Sequence, residues 1–221
     1  MADLSQISRS ESPLVLSGAP EGFDSLITAD LARGEALSVF VARDFARMNA
    51  VIEALKFFAP GLEILSFPAW DCLPYDRMSP TPGIVAQRMY ALSQLAQYRT
   101  KPPVAPVLLL TTASAMMQKV PPLNVISEGR LSLRPGQSID IGHLEAYFLK
   151  HGYNRVSTVS EKGEFAVRGG LLDVFSASHE EPVRLDFFGD TLESIRSFDT
   201  ETQRSLKQIT SLDFTAVSEI R

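Results

Sequence analysis

The run Val107-Leu108-Leu109-Leu110, set between Pro106 and Thr111-Thr112, constrains this chain most. A strand that is apolar at every position has no face for water, so it belongs at the centre of a sheet covered on both sides. Such a strand implies neighbours of similar grammar, and the preceding sequence supplies them. PLVLSG (13–18), LSVFVA (37–42) and LEILSFP (62–68) are short strand candidates separated by helical patterns. An amphipathic stretch runs from about Phe23 to Arg33. Asp44 is placed to cap a second helix carrying Val51, Leu55 and Phe58 at helical spacing, ended by Pro60-Gly61. A third helix is expected from about Ile84 to Tyr98, and a short one at ASAMMQKV (113–120). Strands alternating with helices at this spacing predict a parallel α/β layer over residues 1–122.

At Pro121-Pro122 the grammar changes. RLSLRPGQSI (130–139) suggests strand, turn and strand, and Asp140 opens a helix with Ile141, Leu144 and Phe148 on its apolar face. Then come RVSTVS (155–160), EFAVRGGLLDVF (164–175), PVRLDFFGD (182–190) and LESIRSFD (192–199), which are β-like. One helix followed by consecutive antiparallel strands predicts a small α+β domain over 123–210. Residues 211–221 form a strand-like tail expected to return to the first domain. The 221 residues, 45% apolar and 21% charged, suffice for packed cores in both parts.

Composition excludes several classes. A single cysteine, Cys72, permits no internal disulfide, and three histidines make a Cys/His zinc site a poor expectation. No apolar run reaches the ~18–20 residues of a bilayer span. The opening MADLSQISRSESP lacks the apolar core of a secretory signal, so a cytoplasmic location is expected. A net charge of −5 disfavours a nonspecific binder of phosphate backbones.

A parallel α/β domain invites a nucleotide site in the loop after the first strand. Phosphate binding there needs G-x-x-x-x-G-K-[ST], with backbone N–H groups, a lysine and a magnesium-binding hydroxyl. The chain has Ser17-Gly18-Ala19-Pro20-Glu21-Gly22-Phe23-Asp24. The spacing between Gly18 and Gly22 is one residue short, Phe23 replaces the lysine ahead of Asp24, and Glu21 adds repulsion toward phosphate. Pro20 also removes a backbone donor. This loop is expected not to bind ATP, and no acidic box follows an apolar strand to hold magnesium.

Other constellations are sparse. Ser114 with His143 or His179 has no sequence link that makes a nucleophile and base. Asp71 and Asp76 around Cys72 fit turn caps better than metal ligands. Trp70 and Tyr75 are expected to anchor their loop on the first domain. Cys72 has no nearby Lys or His to activate it.

Two long stretches carry a resemblance. FPAWDCLPYDRMSPTPGIVAQRMYAL (67–92) resembles the F-P-x-W-x-x-L-P-Y-D-x-x-S-P…R-x-x-x-L signature of the N-terminal region of bacterial transcription-repair coupling factors (Mfd). GEFAVRGGLLDVF…PVRLDFFGDTLESIRSFDTETQRSL (163–206) resembles the next part of that region. The resemblance implies a domain similar to UvrB: a degenerate P-loop, RecA-like ATPase domain, then a small domain that binds UvrA. Only about fifteen residues join Phe67 to the next helix, so the damage-probing hairpin of UvrB is not expected. The family's RNA-polymerase-binding domain and its ATP- and magnesium-dependent DNA translocase would lie outside an N-terminal fragment of this length. No cofactor is therefore expected here.

The resemblance also implies UvrA-contacting roles for Arg168, Arg184 and Phe188. The residues themselves give a partly independent indication. In PVRLDFF, Val183, Leu185 and Phe187 alternate to one face, and Arg184, Asp186 and Phe188 to the other. Exposed pairing of Arg184 with Asp186 or Asp173 would account for the arginines at about 0–1 kcal/mol. It does not account for Phe188. Arginine beside an exposed aromatic is the composition of an interface hot spot, which Arg196 in LESIRSFD extends. Gly169-Gly170 is expected to bulge or bend its strand. The competing classes are an NTPase with an unconventional loop at 17–24 and a UvrB-like DNA-binding module.

Overall fold

A computed structural model describes residues 13–20, 22–72 and 79–219. Glu21, Tyr75 and Asp76 lie outside the described residues. The chain divides into two units that are not contiguous in sequence. One comprises the chain to Ala69 together with Tyr98–Gln118, and the other comprises Trp70–Gln97 and the chain from Lys119 onward.

The first unit contains helix α1 (Phe23–Arg33), strand β1 (Leu37–Ala42), helix α2 (Phe45–Phe58) and strand β2 (Glu63–Phe67). After an excursion into the second unit it is completed by β3 (Val107–Thr112) and the short α4 (Ala113–Met116). The three strands form a parallel sheet in the order β1-β3-β2, with Leu109 beside both Val39 and Leu65. β3 lies at the centre and is buried at every residue, as its composition demands. Asp44 caps α2 by accepting from the Arg47 backbone N–H at 2.7 Å. Met48, Val51 and Leu55 turn inward against Leu108 and Leu110.

One expected strand does not form. Residues 13–18 run as coil, with Leu14, Val15 and Leu16 exposed. An apolar run becomes a strand only when an edge pairs with it. Here Gly18 turns the chain at φ 70 and Pro20 withholds an N–H.

The second unit holds α3 (Pro82–Tyr98, through Gln97), α5 (Leu123–Glu128), β4 (Leu131–Leu133), α6 (Ile141–Lys150) and β5 (Asn154–Arg155). Then follow β6 (Glu164–Arg168), β7 (Leu171–Val174), β8 (Val183–Phe188), β9 (Thr191–Phe198), β10 (Ser205–Ile209) and β11 (Leu212–Phe214). β5 to β10 make a six-stranded sheet in chain order, antiparallel except for the β5–β6 pair. Its inner face buries Phe165, Leu172, Val183, Leu185 and Ile195 against Leu144 and Phe148 of α6.

Three features differ from the sequence expectation. EFAVRGGLLDVF is a hairpin rather than one bent strand: Arg168 pairs with Leu171, and Gly169-Gly170 is the turn between them. Gly169 supplies φ 61, and a Cβ on Gly170 would stand 2.8 Å from the Phe187 carbonyl oxygen. The tail 211–219 reaches Trp70, Arg88 and Met89, residues expected in the first domain, but these belong with the second unit. Leu212–Phe214 pairs with β4, burying Leu212 and Phe214 in the core of the second unit. Finally, α3 belongs with the second unit, where Ala86 and Tyr90 join that core and Met89 packs with Ile126 and Ala216.

The tail is also fixed ionically. The Glu219 side chain, 5% exposed, accepts from Arg88 Nε and Nη2 and from Trp70 Nε1, the last at 3.0 Å. The Arg88 guanidinium lies 5.2 Å from the Trp70 ring centroid. The tryptophan and arginine of the 67–92 motif thus converge on one carboxylate more than a hundred residues away. Arg88→Ala would leave that carboxylate buried without its cation. A loss of about 3–5 kcal/mol of stability is expected, measured by urea denaturation.

Candidate functional site

The meander β6–β9 has one apolar face and one charged face. The register places Asp173 of β7 opposite Arg184 of β8, and Arg184 opposite Arg196 of β9. Arg168, at the end of β6, lies across from Leu171, which in turn pairs with Asp186. Residues directly opposite in antiparallel strands share a face. Arg168, Arg184 and Arg196 therefore share the outward face with Asp173 and Asp186. Phe188 ends β8 on that face and is 78% exposed, while its neighbour Phe187 is buried in the core. Two turns with glycine at the first loop position, Gly169-Gly170 and Gly189-Asp190, bring the ends of both hairpins to the side where Arg168 and Phe188 stand. The four residues singled out in the sequence therefore share one surface.

Their environments differ. Arg184 donates from Nε to Asp173 Oδ1 at 2.7 Å and from Nη2 to Oδ2 at 2.8 Å. Its Nη1 donates to the Gln203 carbonyl at 3.3 Å, and its guanidinium stacks over Phe198 at 4.8 Å. The fork onto Asp173 holds its proton more firmly than usual, against the cost of partial burial. Arg168 reaches the same carboxylate by one bond, Nη2 to Oδ2 at 2.7 Å, and its side chain is 48% exposed. Arg196, which is exposed, lies 3.7 Å from the half-buried Asp186. Asp173 itself is buried.

The sequence suggested Asp173 only as a solvated cross-strand partner. Its burial under two guanidiniums was not foreseen, because a strand position three residues from a glycine turn has no fixed register until the turn is known. The surrounding support was also missed. Asp199 accepts from the Thr202 N–H and hydroxyl, and this holds its carboxyl below the ordinary range. That turn places Gln203, at φ 59, where its carbonyl meets Arg184.

At the loop after residue 17, Gly22 stands at the N-cap of α1 at φ 83, and Phe23 opens the helix. Asp24 fills the helix end: its carboxylate accepts from the Ser25 N–H at 2.8 Å and forms an ion pair with Arg47. The remaining candidates are each bonded locally. Ser114 contacts Thr112 at 3.1 Å, His143 lies 3.4 Å from Asp140, and His179 Nδ1 shares a hydrogen bond with Ser178 at 2.9 Å. Asp71 caps the backbone and hydroxyl of Thr81, and Trp70 meets Glu219. Among the described residues no cluster of His, Cys, Asp and Glu is arranged to hold a metal, and no helix is long and apolar enough to cross a membrane.

An antiparallel sheet with α6 on one face and guanidiniums on the other is the part of the chain that a family model matches. Residues 131–219, which contain it whole, match the family model described as the UvrB interaction domain. Beyond that unit, the chain is similar to transcription-repair-coupling factors over most of its length. It is 37% identical over 188 residues to that of Myxococcus xanthus, a match covering 82% of this chain and 15% of the relative. It is 32% identical over 209 residues to that of Haemophilus influenzae, covering 93% and 17%. It is 33% identical over 181 residues to that of Escherichia coli, covering 82% and 15%. The resemblance carried by the two motifs is thus shown, and the chain spans less than a fifth of the length of these curated relatives.

The unequal holds on the two arginines predict unequal costs. Arg184→Ala leaves a buried carboxylate with one partner and should destabilise by about 1–3 kcal/mol. Arg168→Ala removes a half-exposed pair and should cost less than about 1 kcal/mol. Urea denaturation of the two variants, side by side, checks the order.

Proposed function

We propose that this chain is a non-catalytic recruitment module of transcription-coupled nucleotide excision repair that binds UvrA through the outward face of β6–β9. The observation that carries the proposal is Phe188. A large aromatic is held in water at the end of β8, on the face that carries Arg168 and Arg184, and the packing of the sheet does not need it there. Rigid aromatic and arginine side chains in one patch form the kind of centre on which protein interfaces depend. The match to the UvrB interaction domain and the similarity to transcription-repair-coupling factors support placing that interface in excision repair.

The first unit is proposed as a degenerate ATPase-like domain with a P-loop, RecA-like ancestry. Asp24 occupies its helix end with a carboxylate, and Phe23 stands where a phosphate-binding lysine would. A negative charge there opposes a phosphate that the helix end would otherwise favour. In the whole protein, ATP, magnesium, DNA and RNA polymerase would be engaged by other domains of a cytoplasmic translocase that displaces stalled polymerase.

The proposal is tested with Arg168→Ala/Phe188→Ala, which leaves the Asp173–Arg184 fork in place. The double variant should keep its unfolding midpoint within a few degrees and lose UvrA in a pull-down. Retained UvrA would overturn the assignment. Calorimetric titration of the chain with Mg-ATP should give no binding heat, and a saturable heat would instead favour a working nucleotide loop.

A further inference from the structure

We propose that Asp173 is a positioning residue for this interface: buried beneath the charged face, it fixes two guanidiniums and frees Arg168 to take a carboxylate of the partner. The inference rests on the UvrA-binding proposal above and adds to it a division of labour among the arginines.

Three N–H donors converge on Asp173, two from Arg184 and one from Arg168. Its side chain is 2% exposed, so it cannot meet a partner itself. One guanidinium would compensate the buried charge, and Arg184 does so with both oxygens engaged, a further bond to Gln203 and its flat face on Phe198. Arg184 therefore has little left to offer. Arg168 is surplus to that compensation. It uses one nitrogen on Asp173 and keeps its other donors at the surface, already oriented by the bond it makes. A guanidinium with one edge tied and the other open fits a carboxylate acceptor and has lost part of its side-chain freedom in advance. Arg168 and Phe188 lie at the same end of the sheet, beside the two glycine turns. The partner surface implied is an acidic side chain next to an apolar recess.

An aspartate is required for this arrangement. An asparagine would turn one acceptor into an N–H₂ group facing guanidinium donors. Asp173→Asn should therefore disorder Arg168 while removing no exposed group.

Purified UvrA would be titrated with the wild-type chain, Asp173→Asn, Arg168→Ala, their combination, and Phe188→Ala. Asp173→Asn should weaken binding by roughly tenfold or more, the range of a hot-spot residue. The double variant should bind no worse than the weaker single variant, since both changes remove the same ordered group. Undiminished binding by Asp173→Asn, or fully additive losses, would overturn the proposal. Raising the salt concentration should weaken the wild type more than Arg168→Ala. Equal salt dependence would rule out the partner carboxylate. If Asp173→Asn does not fold, Arg184→Lys is the second variant. It keeps the charge but not the fork, and undiminished UvrA binding by it overturns the proposal equally. The two levels of inference separate cleanly. Loss of binding in Phe188→Ala with none in the Asp173 and Arg184 variants defeats only the positioning role, whereas no UvrA binding by the wild type defeats the interface itself.

Discussion

A carboxylate buried in a sheet can persist only if cations reach it, and the second unit is organised around that requirement. Asp173 lies on β7, and the side chains that satisfy it come from β6 and β8. The pairing is possible only in the register set by the Gly169-Gly170 turn, so the ion cluster and the hairpin specify one another. A slip of one residue would send Asp173 into the core formed by Leu172, Val174 and Leu185. The charged face is thus a register lock as well as a surface. Replacing such a cluster with apolar residues need not cost stability, so what it contributes to the fold is the choice of register.

A second buried carboxylate performs the corresponding task for the chain ends of this unit. Glu219 gathers Arg88 and Trp70, and β11 between them pairs with β4. Pairing and ion pairing together tie the tail to α3, which is why the unit is assembled from two separate lengths of sequence. Local propensity has no means of expressing that closure. Each participant looks ordinary in its own neighbourhood.

This difference explains which parts of the fold the sequence revealed. Alternation is a local property, and it placed Val183, Leu185 and Phe187 inward and Arg184, Asp186 and Phe188 outward, as observed. The Asp44 cap and the all-apolar β3 were equally legible, since each depends on residues a few positions apart. The strand expected at 13–18 failed because a strand is completed by an edge elsewhere in space. Gly169-Gly170 looked like a bend for a related reason: the same two glycines serve a bulge or a hairpin, and only the partner strand decides. The candidate site was therefore visible as a list of outward residues. The hierarchy among them, with Asp173 beneath and Arg184 held more tightly than Arg168, depended on three strands at once.

The two units use the same pair of residue types to opposite effect. At the N-terminus of α1, Asp24 meets Arg47, and the carboxylate is placed at the positive end of the helix. That placement sets a negative charge where a helix end otherwise favours an anion. On β7 one carboxylate meets two guanidiniums, and the balance is left positive at the surface. One carboxylate with one guanidinium leaves no net charge in the pair, whereas two guanidiniums on one carboxylate leave a positive excess. The ratio of charges, more than their number, distinguishes the two ion clusters.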